Sequence, residues 1–461
     1  MTDRSPHRYR AIGASRLDEI EPLRQLDPAL RFDMRVVANV LPFRVNRHVV
    51  DELIRWEDAP DDPVFQLVFP QRGMLSDAHF ERMAEALWRV DESDGGTPSA
   101  ASKAEIRRVA DGIRAELNPH PAGQLDQNRP TFEGRRVDGL QHKYRETVLF
   151  FPAAGQTCHA YCTFCFRWAQ FVGDSELRMA ESDGTRLVRY LAEHPEVSDV
   201  LVTGGDPAIV RTEVLARSLE PLLAPELAHV QTVRIGTKAL TFWPARFVSD
   251  PDADALLRLI ERLVAGGKHV AIMAHVGHWQ ELDHPLAREA VRRLRDAGAV
   301  IRSQAPLLRH VNDDAATWAR TWTEQVRMGI VPYYLFVERD TGARAYFELP
   351  LARAHAIYNE AIRRCSGLAR TARGPSMSCV PGKVAIDGVV EVAGEKVFAL
   401  RFLQARDPEW VGRPFFASFD AHATWFDQLR PAFGERDFFF EPALRAQGVA
   451  TPRVLRERVR R

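Results

Sequence analysis

Between residues 147 and 337 the chain repeats one pattern: a short apolar run, then an amphipathic stretch of helical period. The runs are Thr147–Pro152, Asp199–Thr203, Thr232–Ile235, His269–Ala274, Val300–Ser303 and Val331–Val337. The helical patterns between them are Ser182–Glu193, Thr212–Leu223, Ala253–Val264, Pro285–Ala297 and Ala315–Met328. Strands that alternate with helices are joined by crossovers, which makes neighbouring strands parallel and the connections right-handed. The expected fold class is therefore α/β: a partial (β/α)6 TIM-like barrel, six units rather than eight. In such barrels the chemistry gathers at the C-terminal ends of the strands.

The flanks read differently. Residues 1–140 carry helix-like spacing at Asp77–Val90 and Ser102–Leu117, separated by joints such as Asp94-Gly-Gly-Thr-Pro98 and Pro119-His-Pro121. Residues 351–461 begin with a helical pattern, Leu351–Arg363. Two alternating runs follow, Val384–Val392 and Lys396–Leu403, and then a helical-looking tail, Pro442–Arg461, with a basic end. The expected organisation is a helical N-terminal region (1–140), the barrel (141–350) and a small α+β C-terminal region (351–461), with oligomer contacts in the outer two. Formal net charge is zero, which gives no electrostatic case for nucleic acid or an anionic membrane. No apolar run reaches the ~18–20 residues of a membrane span, and the polar start MTDRSPHRYR carries no secretory signal. Of five cysteines three lie within eight residues, which is no disulfide framework; a reducing cytoplasm is expected.

Those three cysteines follow the first apolar run: Cys158-His-Ala-Tyr-Cys162-Thr-Phe-Cys165. Thiolates are soft ligands that suit iron–sulfur clusters and zinc. A zinc site of this kind normally shows a second ligand pair at matching spacing, and none follows here. A four-iron cluster held by three cysteines keeps one iron open to a small molecule. The stretch resembles the radical S-adenosylmethionine (SAM) superfamily, in which the open iron binds SAM and the cluster's electron cleaves it to the 5′-deoxyadenosyl radical. Thr203-Gly-Gly-Asp-Pro207, after the second run, resembles that superfamily's SAM-contacting turn and implies Gly204, Gly205 and Asp206 as SAM-binding residues. Alone it is a strand-to-helix turn whose glycines allow close backbone approach.

Further segments narrow the resemblance: Val233-Arg-Ile-Gly-Thr-Lys238, Ala274-His-Val-Gly-His278, Gln304-Ala-Pro-Leu-Leu-Arg-His-Val-Asn-Asp313 and Val331-Pro-Tyr-Tyr334. In this order and spacing they resemble the lysine 2,3-aminomutase family over roughly residues 140 to 405. The resemblance implies a 4Fe–4S cluster, SAM and pyridoxal 5′-phosphate (PLP), and transfer of an amino group from the α to the β carbon of an amino acid. It also implies an external electron donor such as flavodoxin or ferredoxin, and a homo-oligomer. His275 and Gln304 are implied at strand ends facing SAM; core polar residues satisfied by backbone would read the same. Lys383, in Cys379-Val-Pro-Gly-Lys383, corresponds to the family's PLP lysine, although the family's glycine run is cut to one. Arg167 keeps the first of the basic positions after the third cysteine, where the family contacts the PLP phosphate; Trp168 and Ala169 replace the others.

The lysine-specific members read the substrate's far end with two aspartates. The matching positions here are Arg339, seven residues after Pro332, and Ser376, seven before Lys383. An arginine donates and cannot pair an ammonium, so the expected substrate is not lysine. A shift of one residue would bring Asp340 to the first position instead. Two other classes fit the same cysteines: a PLP-independent radical SAM enzyme in which Lys383 is structural, and a non-catalytic iron–sulfur protein.

Overall fold

The six apolar runs form six neighbouring parallel strands. The computed structural model describes residues 9–94, 99–173, 178–182 and 184–449. The glycines of the 94–98 joint and the tail beyond residue 449 lie outside the described residues. Two short antiparallel pairs precede the main sheet: β1 (Ala11–Gly13) with β2 (Arg44–Asn46), and β3 (Thr131–Phe132) with β4 (Arg135–Arg136).

Eleven strands then make one sheet, ordered across it as in the chain. They are β5 (Leu140–Tyr144), β6 (Thr147–Phe150), β7 (Asp199–Val202), β8 (Thr232–Thr237), β9 (His269–His275), β10 (Val300–Leu307), β11 (Ile330–Val337), β12 (Arg373–Ser378), β13 (Gly382–Val392), β14 (Glu395–Ala405) and β15 (Pro414–Ser418). From β6 to β12 every neighbour is parallel. At the edges β5 pairs antiparallel with β6, and β12 to β15 pair antiparallel in turn. The sheet is therefore large and mixed, with its parallel part in the middle.

Period-two alternation sets the two faces. Val148, Phe150, Val200, Val202, Val233 and Ile235 pack with the helices Gly184–Ala192, Thr212–Leu219 and Ala253–Ala265 in one apolar core. The alternate residues Leu149, Leu201, Arg234, Gly236, His275, Arg302 and Gln304 are only half-buried on the other face. Strand register puts His275 beside Gln304, and Gln304 beside Tyr334.

The N-terminal region is helical, with Pro28–Val40, Asp77–Asp94 and Ala100–Glu116 as its longest helices. The first is started by Asp27, whose carboxylate accepts from Ala29 N, with Pro28 at the first helical position. This region shares a core with Ala160, Trp168 and Ala169 of the cysteine loop and with Phe242 and Phe347. It also holds that loop by its backbone: Tyr161 N donates to Arg44 O (2.8 Å) and Thr163 N to Leu67 O (3.0 Å). Among the described residues no helix is long and apolar enough to cross a membrane.

Two strands of the C-terminal part carry no readable alternation. Arg373–Ser378 contains Gly374-Pro375, the signature of a turn, yet it lies between β11 and β13, which supply its pairing. Pro414–Ser418 is five residues long and pairs with β14, with one further bridge from Ala417 to Pro431. The tail helix is confined, within the described residues, to Glu441–Ala446.

Candidate active site

The loop after β6 carries Cys158, Cys162 and Cys165, all free and half-buried. It folds as two tight turns: Cys165 N donates to Cys162 O (3.1 Å) and Trp168 N to Cys165 O (3.0 Å). Burial pushes all three thiols up, Cys162 to about 12, Cys165 to about 11 and Cys158 well above its ordinary value. Charge on Cys162 and Cys165 adds to the rise at Cys158, while Arg44 works against it; Lys238 opposes the rise at Cys162, and Arg167 at Cys165. Three half-buried thiols this hard to ionise need a strong cation before they become thiolates, and the iron of a cluster is one. Among the described residues no three His, Cys, Asp or Glu side chains gather tightly enough to hold a single metal ion. A four-iron cluster takes each thiolate on a different iron, so its ligands need not meet at one point.

The Gly-Gly-Asp turn after β7 is packed onto the entry of that loop. Gly204 sits at φ +146°, and a Cβ there would collide with the Gln156 amide. A Cβ on Gly205 would collide with the backbone of Thr157. Gly205 N donates to Gly155 O (2.9 Å) and Asp206 N to Thr157 O (2.8 Å). The glycines thus serve a close approach of chain to chain.

Asp206 is 3% exposed and its carboxylate is saturated. Oδ1 accepts from Ala208 N (2.9 Å) and Thr237 Oγ1 (2.8 Å); Oδ2 accepts from Lys238 N (2.9 Å) and, within 3.0 Å, faces His159 Nε2 and Thr237 Oγ1. Burial works to raise this carboxyl, but His159 and the other donors win and hold it below the usual range. A carboxylate offers about four acceptor sites, so none is left for a ligand. Asp206 acts by joining the turn, the cysteine loop and the end of β8.

At the ends of β8 and β9 lies a buried ion pair, Lys238 Nζ to Glu281 Oε2 at 2.6 Å. Glu281 also accepts from Thr241 Oγ1 (2.8 Å), Gly277 N (2.8 Å) and His278 N (3.1 Å). Lys238 Nζ reaches His275 Nδ1 at 3.3 Å, and the His275 ring stacks on Phe164 of the cysteine loop, centroids 5.3 Å apart. Burial, helped by the Lys238 charge, holds His275 well below its ordinary value, so it is neutral. His275 therefore lies against the cysteine loop, and Gln304 is its neighbour in register.

Lys383 is the second residue of β13, opposite Ser378 of β12. Its ammonium lies over the Tyr334 ring (3.9 Å to the centroid) and near that of Phe336 (5.3 Å). Burial, then the Arg234 and Arg373 charges, bring it down to about 7. Arg167 donates to Thr203 Oγ1 (3.2 Å) and lies against the rings of Phe151 and Phe166. Arg339 donates to Ser378 O (3.2 Å) and lies against the same Phe166 ring at 4.8 Å. Burial lowers both guanidinium groups, Arg167 to about 10. The Nε atoms of both are buried without a partner, and among the described residues neither forms an ion pair with a carboxylate. Asp340 turns elsewhere: its carboxylate and carbonyl accept from Asn118 Nδ2. Ser376 is fully buried inside the sheet and donates to Leu335 O (3.3 Å).

No family model matches the chain. A protein of Aquifex aeolicus described as "Putative L-lysine 2,3-aminomutase" is 34% identical over 332 residues, covering 72% of this chain and 84% of that protein. The chain belongs to the lysine 2,3-aminomutase family. The L-lysine 2,3-aminomutase of Escherichia coli is 28% identical over 54% of this chain and 69% of its own length. That of Fusobacterium nucleatum is 28% identical over 58% and 60%. The enzyme class of the lysine 2,3-aminomutase family is the radical SAM aminomutase, an isomerase, and its cofactors are a 4Fe–4S cluster, SAM and PLP. Among solved structures, Streptococcus suis SuiB bound to its precursor peptide SuiA overlaps at a TM-score of 0.35 and 12% identity, over 70% of this chain and 66% of that one. That likeness is too loose to carry any argument.

Some neighbours of the family's motif residues had no signal in the sequence. Lys238 lies within a recognisable segment, but its ion pair joins residues 43 apart in sequence. Lys143, whose Nζ donates to Cys379 O across 236 residues, lies in β5, a strand too short to show alternation.

Proposed function

We propose that this protein is a 2,3-aminomutase for an amino acid other than lysine, working on the concave face of a partial (β/α)6 barrel formed by β6 to β11. On this reading residues 141–350 are the barrel, 1–140 a helical region that braces the cysteine loop, and 351–461 the part that carries Lys383. Cys158, Cys162 and Cys165 hold the cluster. Gly204, Gly205, His275 and Gln304 form the SAM cradle, with Asp206 fixing the turn. Arg167 takes the PLP phosphate, Lys383 the PLP carbonyl carbon, and Arg339 with the Ser376 segment faces the substrate's far end. When bound, cluster and SAM supply a hydrogen-abstracting radical, and PLP carries the unpaired electron during migration of the nitrogen. The chain's own task is placement and exclusion of water.

The observation that carries the reading is Lys383. A lysine near 7 is about half unprotonated at neutral pH, which is what covalent capture of a carbonyl requires. Arg167 supports it: a buried guanidinium with an unpaired Nε suits a phosphate. An external electron donor, a homo-oligomeric state and a cytoplasmic setting complete the proposal. Anaerobic cluster reconstitution, followed by an amino-acid screen for 5′-deoxyadenosine release with and without PLP, tests it. Release that needs both PLP and an amino acid is the expected result.

A second reading, a radical SAM enzyme without PLP, is favoured by one feature: the glycine run before Lys383 is a single residue, Gly382, and its packing against Gln404 O accounts for it structurally. Borohydride reduction separates the two, since only a PLP enzyme leaves the cofactor fixed on Lys383.

A further inference from the structure

We infer that Arg44 is the counter-charge of the iron–sulfur cluster: it holds the cysteine loop at Cys158 and, by its positive charge, raises the cluster's reduction potential. This role rests on the reading of Cys158, Cys162 and Cys165 as the cluster's ligands and extends it to a positioning residue of the N-terminal region.

Arg44 begins β2, ahead of every segment that carries the family resemblance. It grips the cysteine loop by backbone and side chain together. Its carbonyl accepts from Tyr161 N (2.8 Å), and its guanidinium lies over the Tyr161 ring, 4.9 Å from the centroid. Nη1 donates to Cys158 O (3.0 Å) and to Thr157 Oγ1. The next carbonyl of the loop is held as well: His159 O accepts from Tyr9 Oη (3.2 Å) and Asn46 Nδ2 (3.4 Å). Those two donors are neutral. Holding a carbonyl of this loop therefore needs no charge, yet at Cys158 the contact is made by a cation.

Among the described residues no carboxylate forms an ion pair with Arg44. Other charges packed around the loop have partners of their own. Lys238 pairs with Glu281, and the Asp206 carboxylate faces His159, Thr237 and the Lys238 amide. Arg167 also lacks a carboxylate, and the phosphate of PLP is its proposed partner. A four-iron core held by three thiolates is anionic, and one-electron reduction adds a further negative charge. Net charge and hydrogen bonds around the sulfurs set the potential of such clusters. Arg44 is half-buried against the Cys158 backbone, so its attraction to the reduced state exceeds that to the oxidised one. It thereby favours entry of the electron that an external one-electron donor supplies and that SAM cleavage consumes.

The test uses the full chain, reconstituted anaerobically, with iron content measured and the cluster's midpoint potential read by EPR during a redox titration. Arg44→Gln keeps a donor for Cys158 O and removes the charge; Arg44→Lys keeps the charge and removes the fork. Tyr9→Phe removes a neutral donor from the same loop. The expected result is full iron loading in all three. The reduction equilibrium of Arg44→Gln should be about tenfold less favourable, or about 59 mV lower for one electron, with Arg44→Lys and Tyr9→Phe close to the parent. An unchanged potential in Arg44→Gln at full iron overturns the inference, since Arg44 would then be a clamp alone. An equal fall in Tyr9→Phe also overturns it, because any loosening of the loop would move the potential. Where Arg44→Gln takes up no iron, Arg44→Lys decides: iron at the parent potential supports the role of the charge, and loss of iron there too overturns it. If the parent chain itself shows no cluster spectrum after reconstitution, the ligand reading fails and the inference with it, a result distinct from an unchanged potential.

Discussion

His159 Nε2 lies 3.0 Å from Asp206 Oδ2, both side chains almost wholly buried, so one bond ties the cysteine loop to the turn after β7. Because the same carboxylate also holds Thr237 and Lys238 N, it links the loop to the end of β8 as well. Asp206→Asn would replace an acceptor oxygen with a donor facing other donors. Loss of a charged hydrogen-bond acceptor in a buried site costs about 1.5–3 kcal/mol. The variant should melt several degrees lower and reconstitute with less iron, both measurable without substrate.

Serine at Cys158, Cys162 or Cys165 should abolish SAM cleavage, because each removes a soft ligand that its neighbours cannot replace. Iron content and 5′-deoxyadenosine release report the outcome. A single variant that cleaves SAM at the parent rate would remove that cysteine from the cluster.

Gly205→Ala should be among the worst small substitutions in the chain. The added methyl meets the Thr157 backbone, which cannot rotate away as a side chain can. Overpacking of this kind costs about 1–3 kcal/mol. Gly236→Ala is the control, since the nearest atom to its Cβ is 3.6 Å away. Thermal melting of the two proteins should separate them clearly.

Lys383 should capture PLP in a window set by its amine. The charged form predominates below about 7 and the nucleophilic form above it. Borohydride-trapped PLP should therefore rise from about pH 6 to about pH 8 and then level, where an exposed lysine needs roughly pH 10. Lys383→Ala should leave no trapped cofactor. A trapping profile still climbing through pH 9 would show that burial does not lower this amine.

Arg167→Gln should weaken PLP through its phosphate by about 1.5–3 kcal/mol, or roughly 10- to 150-fold, with the cluster intact. Titration of the cofactor's absorbance checks this, and pyridoxal without phosphate should bind the two proteins alike.

The parallel core was legible because it is written locally. Each of the runs from Thr147 to Val337 carries its own strand period, and the strand ends moved by only a few residues; Val300–Ser303, for example, extends to Leu307. The strand Arg373–Ser378 was hidden because its pairing is supplied by β11 and β13 while its own Gly-Pro reads as a turn.

The sequence by itself determined the crossover order, the three cysteines after the first parallel strand, the glycine turn after the second, and a lysine at the start of the long hairpin of β13 and β14. Those features depend on neighbours a few residues apart. Only the tertiary structure decided what each group does there. It brought Asp206 the donors of His159, Thr237 and Lys238 from 31 to 47 positions away. It turned Arg339 to Phe166 and Ser378 while Asp340 went to Asn118. It brought Lys143 to Cys379 across 236 residues. Burial and charge are properties of surroundings, and these surroundings are assembled from strands and loops that no local pattern connects.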